Sequence, residues 1–203
     1  MTDRPSLLAR RLRLLTMLTV VLGVSLALSM ALRTEAPPAE QPAEADVSLP
    51  LTGLTILVDP GHGGYDGGAR ARDSGQWEKE LNLAVALEVE KALTAQGAAV
   101  TMTRREDTEL SDASPVGVTK KRQDMERRVA LGESIGADLV LSIHMNEYRD
   151  RRQSGPQVFY RAGCDGGRLL AGCMQQALIN GLSPEKKRTA LAGDYFILRL
   201  PVP

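Results

Sequence analysis

Histidine and cysteine are both scarce: two residues of each occur in 203. Two cysteines nine positions apart, Cys164 and Cys173, form no metal-binding spacing and make a poor disulfide framework, so they read as structural residues. Net charge is absent as well. Lys+Arg 25 balances Asp+Glu 25, which leaves no global field to draw the chain to nucleic acid. There is no internal repeat, no H-E-x-x-H helix and no Gly-Lys-Ser/Thr phosphate loop. Function must be sought in local chemistry.

What is present begins with a basic, apolar head. Arg4, Arg10, Arg11 and Arg13 precede an uncharged run from Leu14 to Leu32. Nineteen helical residues at ~1.5 Å each reach roughly 28 Å, near the roughly 30 Å of a bilayer core. The stretch reads as an uncleaved membrane anchor with the amino end in the cytoplasm and the remainder outside; a cleaved signal peptide is the rival reading. Residues 1–33 therefore form the tip and anchor or signal. Residues 34–50, rich in Pro, Ala and Glu, read as a flexible linker. Residues 51–203 form the folded domain.

Within that domain the apolar pattern alternates between strands and helices. "LTILVD" reads as a buried strand, "EKELNLAVALEVEKALTAQG" as an amphipathic helix stopped by Gly97, and "AAVTMTR" as a second strand. "KKRQDMERRVALGESIG" reads as a second helix and "ADLVLSIH" as a third strand, with a fourth strand at "GPQVFY" and a third helix around "RLLAGCMQQALIN". This order predicts an α/β fold, a mostly parallel sheet flanked by helices. Ligands in such folds sit beyond the carboxyl ends of the strands. Both histidines, His62 in "DPGHGG" and His144 in "SIH", fall at such ends.

Two histidines on one sheet edge suggest a metal site of two imidazoles and a carboxylate. Glu78, at the start of the first helix, is the leading carboxylate, but Asp66 and Glu80 satisfy the same spacing. Gly61, Gly63 and Gly64 allow the chain to turn sharply out of the strand beside the imidazole.

"ILVDPGHGGYDGGA", "WEKELNLAVAL", "VTMTR" and "RRVALGESIGADLVLSIHMNE" together resemble the zinc-dependent N-acetylmuramoyl-L-alanine amidases, type 3, over roughly residues 54–203. The resemblance implies one zinc held by His62, Glu78 and His144, and hydrolysis of the amide between N-acetylmuramic acid and L-alanine in peptidoglycan. Arg104 and Asn146 match positions where substrate contacts are expected, though a structural salt bridge is the favoured reading for Arg104 and Asn146 could instead hold its own loop. The anchor, linker and single domain also resemble the membrane-bound amidases of spore-cortex remodelling. The resemblance further implies a catalytic glutamate on a late strand, which would lie beyond Pro203 together with a closing strand and helix. A fragmentary sequence, a natural non-catalytic relative that binds peptidoglycan, and a substitute acid such as Glu147 are the three explanations this leaves. Any protein activator is unidentified.

Overall fold

The structure, a computed structural model, describes residues 48–146 and 153–203. The expected anchor (1–33), most of the expected linker and Glu147 lie outside the described residues. Among the described residues, no helix is long and apolar enough to cross a membrane.

The first strand, β1 (Thr55–Pro60), is the centre of a three-stranded parallel sheet. Its side chains Ile56, Leu57 and Val58 are fully buried on both faces, as a central parallel strand requires. On one side lies β2 (Ala99–Met102), with Val58 opposite Met102; on the other lies β3 (Leu139–Ile143), with Val58 opposite Leu141. Helices α1 (Glu78–Ala95) and α2 (Lys120–Ser134) make the two parallel crossovers.

The two faces of the sheet bury different surfaces. Ile56, Val58, Ala86, Leu93 and Met102 form one cluster, under α1. Leu57, Ala137, Ile197 and Leu200 form the other, which includes Met125 and Val129 of α2 and a short 3-10 helix, Phe196–Arg199. Along α1 the residues Glu78, Asn82 and Ala86 are buried at successive four-residue steps, one helical stripe. The first two point this stripe at the sheet's carboxyl edge and the third at its core. Helix α2 buries Asp124, Arg128 and Gly132 at the same spacing. Its inward stripe is thus polar at one end, while Gly132 lets Leu200 and Leu57 approach closely enough that a Cβ there would stand 2.7 Å from Leu200.

A fourth strand lies at the end of "GPQVFY", as expected, but outside the three-stranded sheet. Strand β4 (Phe159–Arg161) pairs in parallel with β5 (Leu191–Gly193) as a separate two-stranded ladder. The outer edge of β3 is met instead by the segment after the 3-10 helix, where Val140 N–H donates to the Pro203 carbonyl (3.1 Å). Helix α3 (Asp165–Leu182) follows β4. Its buried Gln175 accepts from Val158 N–H (2.8 Å) and donates to the Pro156 carbonyl (3.1 Å). Cys164 and Cys173 are unbonded to each other. Cys164 caps α3, its Sγ accepting from Gly167 N–H (3.3 Å).

Candidate metal centre

At the carboxyl end of β1 the chain leaves the sheet through a turn whose carbonyls are buried and need donors. Two arginines supply them. Arg104, from the end of β2, donates to the carbonyls of Pro60 (3.0 Å), Gly61 (3.0 Å), Lys79 (2.8 Å) and Glu106 (3.1 Å). Arg128, from α2, donates to those of Pro60 (3.2 Å) and His62 (2.9 Å). Arg104 is only 4% exposed. Arg104, expected to meet substrate or a structural ion pair, is placed with its guanidinium on main-chain carbonyls of and around the turn.

Beneath the turn, Asp59 anchors Arg128. Its Oδ1 accepts from Arg128 Nη1 (2.6 Å) and Thr103 Oγ1 (2.7 Å), and its Oδ2 from Ser142 Oγ (2.7 Å). Arg128 Nε also donates to Asp124 Oδ2 (2.8 Å). Burial alone would raise the Asp59 carboxyl; the Arg128 charge and the two hydroxyls outweigh it and hold it below the usual carboxylate range.

This scaffold sets His62 in the left-handed region, at φ 63°, a conformation uncommon outside glycine and characteristic of constrained functional positions. Close neighbours explain two of the glycines. A Cβ on Gly61 would overlap the His144 ring, and one on Gly68 would come within 2.6 Å of the His62 ring.

Glu78 is the hub. Its Oε1 lies 3.0 Å from His144 Nδ1 and accepts from Met145 N–H (3.0 Å) and Asn82 Nδ2 (3.4 Å). Its Oε2 lies 3.4 Å from His62 Nε2 and accepts from Ala69 N–H (2.9 Å). Burial works to raise this carboxyl, but the contacts with His144, His62 and Ala69 N–H prevail and hold it far below its ordinary value. His62 is shifted the other way: the Glu78 contact, with help from Asp66 and against burial, raises it above the usual imidazole value.

One donor atom from each of His62, Glu78 and His144 lies within 4.8 Å of the others. The two rings meet edge to face at 4.9 Å between centroids. Two imidazoles and an ionised carboxylate converging in this way suit a divalent transition metal. The rival carboxylates fall elsewhere. Asp66 Oδ2 is 3.0 Å from His62 Nδ1, on the far side of the ring, where a carboxylate orients a ligand rather than serving as one. Glu80 is exposed. Asn146 is exposed and lines, with Met145, Leu81 and Glu78, an open cleft of about 440 Å³ beside the site.

Sequence reasoning missed the supporting shell of Asp59, Asn82 and Arg128. The sequence carried only a partial signal: Asp124 and Arg128 stand four residues apart, a spacing that allows an ion pair, while Met125 and Val129 beside them offer an apolar inward face.

The chain is similar to proteins of known kind. The chain is 36% identical over 158 residues to the germination-specific N-acetylmuramoyl-L-alanine amidase of Bacillus subtilis, a match covering 77% of this chain and 66% of that relative. Among solved structures, the CwlD amidase of Clostridioides difficile in complex with the GerS lipoprotein superposes with a TM-score of 0.69 at 28% identity, covering 74% of this chain and 78% of that one. An N-acetylmuramoyl-L-alanine amidase from Clostridium difficile 630 gives a TM-score of 0.61 at 28% identity, over 72% and 73% of the two chains. With residues 56–201, from β1 through the segment that meets β3, matching the family model for N-acetylmuramoyl-L-alanine amidase, the chain belongs to that family.

Proposed function

We propose that the chain is a zinc-dependent hydrolase that cleaves the amide between the lactyl carbonyl of N-acetylmuramic acid and L-alanine in peptidoglycan. The convergence of His62, Glu78 and His144 donor atoms within 4.8 Å at the carboxyl ends of β1 and β3 carries this reading. Zinc, bound by these three residues, would polarise the amide carbonyl and acidify a water molecule.

The chain's own residues supply order. Asp66 fixes the tilt of the His62 ring by holding Nδ1, which turns Nε2 toward Glu78. Ala69 N–H, Met145 N–H and Asn82 Nδ2 fix both oxygens of Glu78. The ligand set therefore needs little rearrangement to receive an ion, which favours affinity. Asn146, on the cleft wall, is assigned to hydrogen-bond the bound glycopeptide.

The site of action is proposed to be outside the cytoplasm, with residues 1–33 as membrane anchor or signal. The germination-specific relative supports spore-cortex peptidoglycan as the substrate over vegetative wall, and the complex of the Clostridioides enzyme with a lipoprotein supports a protein partner of that kind.

The test is to incubate the zinc-loaded chain with purified peptidoglycan and quantify new L-alanine amino termini. Their appearance, lost on chelation, is the expected result. Adsorption to peptidoglycan with zinc bound but no new amino termini would replace the hydrolase by a non-catalytic binding relative.

A further inference from the structure

One wall of the cleft is an arm spanning residues 69–77. Ala71 N–H donates to the Gln76 carbonyl (2.9 Å), Gly75 N–H donates to the Ala71 carbonyl (2.8 Å), and Arg70 and Trp77 form an antiparallel bridge. The base of the arm is fastened to the metal site. Ala69 N–H donates to Glu78 Oε2 (2.9 Å), and Glu78 N–H donates to the Ala69 carbonyl (2.8 Å). Residue 70 thus stands one position from a main-chain group that touches a candidate ligand carboxylate.

Arg70 lines the cleft. Its Nε donates to the Gly75 carbonyl (2.9 Å), and its guanidinium carbon lies 5.3 Å from the centre of the Trp77 ring. The two contacts hold the guanidinium against the arm. A planar fork held in advance loses less freedom on meeting a carboxylate and presents bidentate donors to it. Arg72 and Asp73 line the same wall.

We propose that Arg70 is a specificity-determining residue that receives the free carboxylate of the second amino acid of the peptide stem, so that acidic stems are preferred over amidated ones. The inference rests on the reading of the neighbouring site as a muramoyl-alanine amidase. Ala69, the neighbour of Arg70, touches the candidate ligand Glu78, so Arg70 stands beside the reacting centre, and the second stem residue is the first along the stem to carry a free carboxylate.

Two muramyl dipeptides test it, N-acetylmuramoyl-L-alanyl-D-glutamate and the same compound with the α-carboxyl amidated. Binding of each to the zinc-loaded full chain is measured by calorimetry, and hydrolysis by release of L-alanine amino termini. The acid is expected to bind about tenfold more tightly than the amide, the size of effect a charge-assisted fork gives. Arg70→Gln is expected to reduce this preference to near unity. Arg70→Lys, which keeps the charge without the fork, should leave an intermediate preference; unchanged melting temperatures would show that both variants fold. Equal binding of the two compounds by the unaltered chain, binding of neither, or a preference that survives Arg70→Gln overturns the proposal. An acid preference that disappears in Arg70→Gln, without hydrolysis of either compound, would instead overturn the hydrolase reading and leave the role of Arg70 standing.

Discussion

Arg128 Nη2 donates to the His62 carbonyl at 2.9 Å while Nη1 of the same guanidinium holds Asp59 at 2.6 Å. A buried ion pair and the turn that carries a candidate metal ligand therefore share one side chain. Arg128 is 2% exposed, so its removal would leave Asp59 as a buried, unpaired charge. Arg128→Met should destabilise the fold by about 3–5 kcal/mol and lower zinc affinity as well. Urea denaturation and chelator competition on the same preparation measure the two effects. Lost stability with undiminished zinc affinity would disprove the coupling.

Asp59 gives the fold an acid limit. Its carboxyl is held below its ordinary value by Arg128, Thr103 and Ser142 against the opposing effect of burial, so between its folded and unfolded pKa values the unfolded chain binds more protons. The stabilisation is fully present above the unfolded value of about 3.9 and is lost as the pH falls through the depressed folded value. Urea midpoints between pH 6 and pH 2.5 should fall steeply below about pH 4. Asp59→Asn should flatten that dependence; an unaltered slope would assign it to other carboxylates.

Glu78 and Glu80 lie two residues apart on one helix but differ in role. Glu78→Gln should weaken zinc binding by at least about 100-fold, the upper range for loss of a supporting contact. Glu80→Gln, on the exposed side, should leave it within error. Competition against a chromophoric chelator distinguishes them, and equal losses would refute the ligand assignment.

Protons and metal compete at His62. The contact with Glu78, reinforced by Asp66, raises the imidazole above its usual value of 6.5, and the ring must release its proton before it can bind an ion. Zinc affinity should therefore decline as pH falls through that raised value. Asp66→Asn should shift the decline to lower pH and cost about 10- to 100-fold in affinity at pH 8. Isothermal titration across pH 5.5 to 8 reads both, and a decline that stays in place in Asp66→Asn would show that Asp66 does not control the ring.

How much of this the sequence revealed depended on which forces leave a pattern. Strands β1 and β3 and helix α1 were visible because continuous apolar runs and a 3.6-residue period report burial directly. Strand β4 was read from its apolar and aromatic run, whereas β5, three residues long, is too short for any period and was not anticipated. The choice among Asp66, Glu78 and Glu80 could not be made from spacing, since both Asp66 and Glu78 do reach His62, on opposite nitrogens. The main-chain contacts of Arg104 were hidden for a related reason: a strand-end arginine gives no sign that the carbonyls of Pro60 and Gly61 will take its donors.

The separation of the ligands along the chain has its own consequence. His144 and Glu78, 66 residues apart, meet only after β1 has gained both neighbours, and such long-range pairing is a late and slow event in folding. A polypeptide emerging from synthesis or threading through an export channel has no assembled centre to load. Metal capture then marks the finished domain, and under the proposed reading a wall-cutting activity stays silent until the chain has reached its destination and closed its sheet.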